Sequence, residues 1–505
     1  MVRRTRRSAR QSSSRKQLPY RHLRNPYPPV QIASDDNVQA IHQASIELLR
    51  DTGIRFLLPE ARDILKNAGA STSDGSERVW FDTDLLMDLV SKAPASFTLH
   101  ARNPDHSLFM GENAINFSMV ASTPNVSCLD KGRRTGNFQD YCNLVKLGQS
   151  LNSTHLIAGY PVEPIDLPPA TRHLDAIAAL ATYTDKPLYA YALGDVRIDD
   201  GIEIAKIVRG IDSDTLNTEP SILTVVNANS PLQYDIPMLQ GVLSMVRCRQ
   251  PVVFTPFTLA GAMAPVTIAG ALVQQNAEAL AGIAFAQAVN PGSPVMYGSF
   301  TSNVDMKSGS PAFGTPEYTK ATIISGQLAR KYNIPLRASN ANAANAPDAQ
   351  AVYESQMSIW ACINGHINLM MHGLGWLEGG LCASYEKVIL DAEMLQMMSE
   401  YLQPLSFTKD DLAVYAIDDV GPGSHFFQSA HTLERYESAF YSPLVSDWSN
   451  FETWQENGEV TATQRANKIW KQLLNDYQQP EMEVNRTQQL NEFVEKRKRE
   501  GGAPG

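Results

Sequence analysis

From about residue 113 the chain alternates between two hydrophobic rhythms. Short runs rich in β-branched and aromatic residues recur: "INFSMVAS", "HLIAGYPV", "PLYAYAL", "SILTVVNAN", "PVVFTPFTL", "PVMYGSF", "PLRASNA" and "HINLMMHG". Each is followed by a segment of helical periodicity, from "NFQDYCNLVKLGQSL" through "ATRHLDAIAALATYT" and "TPEYTKATIISGQLARKY" to "YEKVILDAEMLQMMSEYL". Strands that read as continuous apolar runs are buried on both faces, and strict alternation with helices implies a parallel sheet. Eight such repeats predict a closed (β/α)8 barrel over residues 113–445. An open doubly wound sheet is the competing α/β arrangement, but no G-x-G-x-x-G follows the first strand.

The flanks follow other patterns. In "DDNVQAIHQASIELLRDT", Val38, Ile41, Ile46, Leu48 and Leu49 keep a helical spacing that stops at Gly53. With the short helices "PEARDILKNAGA" and "DTDLLMDLVSKA" and the strands "RVWF" and "SFTLHAR", this makes residues 29–112 a mixed α/β extension. Residues 446–505 turn polar and predict a tail of charged helices, "TATQRANKIWKQLLNDY" and "RTQQLNEFVEKRKRE", with "GGAPG" frayed at the end. Residues 1–28 read as a basic disordered arm, whose first 24 residues carry no Asp or Glu. Without an apolar h-region the arm is not a secretory signal, although its Arg- and Ser-rich start resembles an organelle transit peptide.

Composition narrows the function classes. The chain has 505 residues, is 43% apolar and carries a formal charge of −10, so a substantial core is expected and general nucleic-acid binding is not. Five cysteines (Cys128, Cys142, Cys248, Cys362, Cys382), odd in number and without C-x-x-C, indicate neither a disulfide framework nor a zinc ribbon and fit a reducing cytoplasm. Between Arg249 and Asp305 the only formal charge is Glu278, yet "LVQQNAEAL" and five prolines interrupt the stretch. A membrane span is therefore not expected. An Ala-rich helix buried in the fold or at a contact between identical subunits is, and it points to a homo-oligomer.

In a (β/α)8 barrel the active site gathers at the C-terminal ends of the strands. Those ends are rich in Asn, Ser, Gly and aromatics and poor in general acids and bases. They hold no Ser or Cys beside a His base, no phosphate loop and no H-E-x-x-H, and no metal site is expected. His372 falls at the mouth. Tyr160, Phe257, Phe300 and Trp376 come from four different loops, with Glu378 and Asp305 as anions and Asn227 and Asn229 as neutral hydrogen-bonding groups. One such ring is ordinarily packing. Several together can surround a quaternary ammonium, each good face contributing ~0.5–2 kcal/mol.

Three stretches carry a family resemblance: "YGSFTSNVDMKSGSPAFGTPEY" (297–318), "DAQAVYES" (348–355) and "HGLGWLEGGLCASYEKVILDAEML" (372–395). They resemble the trimethylamine methyltransferase family, corrinoid-dependent enzymes that include glycine betaine methyltransferases, and the likeness reaches "NVQAIHQASIELLRDTGIRF" near the front. What the resemblance implies is a barrel that binds a methylated amine and passes one methyl group to the reduced cobalt of a separate corrinoid protein, with no cofactor tightly bound to the chain itself. Archaeal trimethylamine enzymes of the family carry pyrrolysine. Every residue here is standard, so the sequence resembles the branch without it, and glycine betaine is the expected substrate, with proline betaine, carnitine or choline behind it and trimethylamine or another methylated amine as the alternative.

A quaternary amine also suits the scarcity of general acids, since it leaves as a neutral tertiary amine without a proton. On this reading Glu378 and His372 are the candidate catalytic residues, with Asn227, Asn229 or His372 holding a betaine carboxylate. Gly373, Gly375, Gly379 and Gly380 would let the backbone approach a flat macrocycle. The chain has no D-x-H-x-x-G signature of its own. The competing expectations are a barrel that binds betaine without catalysis and a zinc-activated methyltransferase on the same fold.

Overall fold

The computed structural model describes residues 17–504. Parallel strands Ala114–Met119, Leu188–Tyr189, Ile222–Val226, Val252–Phe254, Val295–Gly298, Leu336–Ser339 and Leu369–Leu374 form one curled sheet, closed where Leu369–Leu374 pairs with the first strand. The eighth position, predicted over "HLIAGYPV", is reduced to a single parallel bridge between Leu156 and Ser118. The ladder is interrupted only at the seam between Leu156 and Leu188, and helices from Phe138–Ser150 to Tyr385–Tyr401 surround the strands, the short Ser213–Thr218 being an addition to the one-per-strand set. The architecture is the expected (β/α)8 barrel.

The barrel interior is filled from below. The hairpin of Ser96–Leu99 and Leu108–Gly111 sends Leu99, Leu108 and Met110 into a cluster with Leu156, Leu223, Val253, Met296 and Leu369. His100 also donates its amide to Pro220 O, just ahead of the strand Ile222–Val226. The hairpin therefore plugs the end where the strands start, and any site must open at the opposite end.

The Ala-rich stretch forms the helix Ile268–Val289, apolar on all sides and packed under the N-terminal extension. Its polar interruption is an internal network. Glu278 accepts hydrogen bonds from Ser230 Oγ (2.6 Å), the Leu232 amide (2.7 Å) and Gln274 (3.0 Å), while Asn276 donates to Tyr332 Oη at 2.9 Å. From Ala271 to Gln287 burial within the fold accounts for this helix.

Other expectations are corrected at the chain ends. Residues 1–16 of the basic arm lie outside the described residues, but from residue 17 on the arm is ordered. Leu23–Arg24 pair antiparallel with Ala114–Ile115, and Asn25 donates its side-chain N–H to Ile363 O at 2.8 Å. Gly505 lies outside the described residues, but the residues before it are not frayed: the Ala503 amide donates to Ala170 O at 2.9 Å and its side chain is buried.

The tail helices Ala462–Asn475 and Val484–Arg499 pack back on the barrel. Between them and the last barrel helix, residues 405–451 form an arm with large apolar side chains in solvent, Phe427 at 81% exposure and Phe440 at 88%. No helix among the described residues is long and apolar enough to cross a membrane.

Candidate active site

The strand ends surround a cavity of about 580 Å³. It reaches the surface between the exposed side chains of Leu193 and Leu381. Tyr160, Phe257, Phe300 and Trp376 all line it, together with Tyr189 and Tyr191, which the sequence reading did not single out. The rings fall into two clusters. Phe257 stacks on Phe300 at 5.1 Å, and Phe300 meets Trp376 edge-on at 6.1 Å. Tyr191 meets Tyr160 edge-on at 4.7 Å and Tyr189 at 5.3 Å.

The indole is held from several sides. Trp376 donates its ring N–H to Asn342 O at 3.0 Å and accepts the Asn342 amide on its own carbonyl at 2.7 Å. Gly380 has φ +101°, and a Cβ there would stand 2.6 Å from the indole. This glycine makes room for the ring. Its neighbour Gly379 also lines the cavity, with φ +61°.

His372 lines the cavity next to Met371, although regular alternation would send consecutive residues to opposite faces. The reason is a bulge: pairing with the first strand shifts register between Met370 and Leu374, and His372 takes φ +56°. Left-handed backbone at a non-glycine residue costs on the order of 1–3 kcal/mol and tends to collect at functional sites. Ser122, also in the lining, has φ +66°. Burial and the nearby Arg337 hold the His372 imidazole well below its ordinary range, so the ring is neutral.

Asn227 lines the cavity, but five other nominated residues do not. Glu378 puts both carboxylate oxygens 2.9 Å from Arg133 Nε, so its charge is engaged with the hairpin at 125–135. Asp305 is exposed and caps its own turn through Ser308 and the Lys307 amide. Asn229 bonds Asp235 at 3.2 Å. A Cβ on Gly373 would meet Ser118 O at 2.9 Å, and one on Gly375 would meet Val388 at 2.7 Å. Those two glycines let a strand and a helix approach.

The charges in the lining are mainly positive. Glu163 is its one carboxylate, and Arg172, Arg197 and Arg337 are its guanidinium groups. Burial pushes the Glu163 carboxyl up, while Arg172, 3.9 Å away, pulls it down. His173, also in the wall, has Nε2 2.8 Å from Asp200, which Arg497 of the last helix holds at 2.6 Å. Among the described residues no three His, Cys, Asp or Glu side chains gather as a metal-binding group.

The barrel is thus plugged at one end and carries a ring-lined cavity open at the other, the arrangement of a (β/α)8 enzyme scaffold. Residues 1–502 match the family model described as trimethylamine methyltransferase (MTTB), and the chain belongs to that family. It is 35% identical to the glycine betaine methyltransferase of Desulfitobacterium hafniense over 94% of this chain and 98% of that one. A trimethylamine methyltransferase of the same species is 28% identical over 88% of this chain and 89% of its own. The proline betaine:corrinoid methyltransferase of Eubacterium limosum is 26% identical over 91% and 96%.

Proposed function

We propose that the chain is a methyltransferase that takes a methyl group from a quaternary amine, glycine betaine foremost, and passes it to the Co(I) corrinoid of a separate partner protein. The observation that carries this reading is the convergence of six rings, Tyr160, Tyr189, Tyr191, Phe257, Phe300 and Trp376, on one cavity that opens to the surface. The relatives act on betaines and methylated amines according to their names, which supports the same class here. Co(I) would supply the nucleophile.

What the chain supplies is position. Ring faces bind the cation, but binding the ground state alone would slow the transfer, because positive charge on nitrogen is being lost. The gain comes from aligning one N–methyl bond with the opening, since orientation is worth ~7–11 kcal/mol in favourable intramolecular cases. The leaving amine is neutral and needs no proton, consistent with a lining whose one carboxylate lies beside Arg172.

A cytoplasmic location fits five cysteines that are all free. The apolar arm at 405–451 supports a homo-oligomer. The test is to mix the purified chain with a Co(I) corrinoid protein and a panel of methylated amines while following the visible absorbance of methyl-Co(III). Glycine betaine should give the fastest change. Calorimetric binding with an unchanged spectrum would mean a binding barrel and overturn the assignment.

A further inference from the structure

We propose that Arg337 and His372 form a carboxylate-binding site inside the cavity, so that the methyl donor is a betaine, a quaternary ammonium that carries its own carboxylate. This rests on the methyltransferase reading and narrows its substrate class.

Arg337 points inward from the strand Leu336–Ser339, is 3% exposed and lines the cavity. A guanidinium has five N–H donors and no acceptor. Here Nη1 reaches Ser299 O only at 3.4 Å, Nη2 lies 3.3 Å from His372 Nε2, and Nε has no partner. Its cation stacks over Phe300, 5.3 Å from the ring centre, and no Asp or Glu oxygen lies within salt-bridge distance among the described residues. Burial lowers its pKa to about 10, which leaves it cationic at neutral pH. A buried charge without a counter-charge is costly, and the cost is removed by an anion.

His372 sharpens the argument. Both of its ring nitrogens face donors: the Ala121 amide lies 3.2 Å from Nδ1 and Arg337 Nη2 lies 3.3 Å from Nε2. A neutral imidazole has one lone pair to offer. The Ala121 amide belongs to a buried residue and takes that lone pair on Nδ1, so the ring proton sits on Nε2. Nε2–H and Nη2–H are then two donors side by side without an acceptor. A carboxylate oxygen placed between them satisfies both, with charge-assisted hydrogen bonds. Thr255 adds a buried hydroxyl to the same lining, also without a partner.

The neighbouring rings fix where the nitrogen goes. Trp376 lies 4.3 Å from the His372 ring, and Phe300 is the ring over which Arg337 stacks. An ammonium within a carbon or two of the carboxylate would therefore rest on Phe300 and Trp376. A cation lacking a carboxylate would instead meet Arg337 uncompensated.

The test is calorimetry on the full chain with glycine betaine, choline, tetramethylammonium and acetate, alongside the Co(I) methyl-transfer assay. Wild type should bind betaine about tenfold or more tighter than choline, and acetate should compete with betaine. Arg337→Gln and His372→Gln should each lose about tenfold or more in betaine affinity and little in choline affinity. Equal affinity of wild type for betaine and choline overturns the proposal without any variant. Acetate that strengthens betaine binding also overturns it, because the anion would then be a separate molecule. Methyl transfer from choline as fast as from betaine defeats the carboxylate site and leaves the methyltransferase standing. Tight betaine binding with no methyl transfer from any amine defeats the methyltransferase reading and leaves the site.

Discussion

The loop that carries Trp376 hangs from a buried ion pair, and breaking that pair should reveal its role. Lys387 and Asp391, one turn apart on the helix Tyr385–Tyr401, are both 0% exposed and bond each other. Asp391 also accepts the Gly375 amide at 2.8 Å, and Lys387 donates to Ser355 Oγ at 2.9 Å. Burial pushes the Lys387 ammonium down and the Asp391 carboxyl up, each opposed by the other's charge. Lys387→Met leaves a fully buried carboxylate alone, which typically costs about 3–5 kcal/mol. In Lys387→Met with Asp391→Asn, the charge is gone and the amide oxygen still accepts from Gly375. That double variant should recover most of the loss, giving a coupling of about 2 kcal/mol or more across the cycle. Urea unfolding of the wild type, both single variants and the double variant measures it. A Lys387→Met cost below about 1 kcal/mol, or a double variant no better than that single one, refutes the argument.

Three further outcomes are expected. Burial and the nearby Lys186 lower the His155 pKa to about 3, and its neutral ring bridges the Phe117 amide (2.9 Å) and Arg21 O (3.0 Å). The unfolded chain therefore binds the extra proton first, and His155 should contribute a stability loss of about 1.4 kcal/mol per pH unit as pH falls from about 6.5 towards 3. Urea midpoints at a series of pH values should show that slope reduced in His155→Gln. Gly380→Ala places a Cβ against the indole at a left-handed φ, so it should displace Trp376 and weaken betaine binding several-fold, read by calorimetry and tryptophan emission. The apolar arm exceeds what a monomer ordinarily exposes, so sedimentation should find a multimer that Phe427→Glu with Phe440→Glu dissociates.

Much of the barrel is legible in the sequence because parallel strands buried on both faces leave continuous apolar runs, such as "SILTVVNAN" for Ile222–Val226. The rings are legible for a related reason, since each follows such a run and lands at the mouth. Charge pairing is not. Glu378 looked like an anion for a bound cation because it lies two residues from Trp376, yet its partner Arg133 is 245 positions away in the chain. Asp305 spends its carboxylate on its own turn, a choice made by local backbone geometry. The seam at Leu156 is likewise a matter of tertiary fit that no local propensity carries.

Arg337 and His372 lie between these cases. Arg337 is visible as the lone charge in the strand "PLRASNA", but facing the interior depends on the pleat, which the run itself does not phase. For His372 the regular pattern misleads. With Met371 inside, an unbroken strand would turn the next side chain into the surrounding helices, and Arg337 would face no ring nitrogen. A register shift of the bulge type, with the strain of φ +56°, is what brings the imidazole beside the guanidinium. The carboxylate site thus exists because one strand departs from the periodicity by which the fold is recognised.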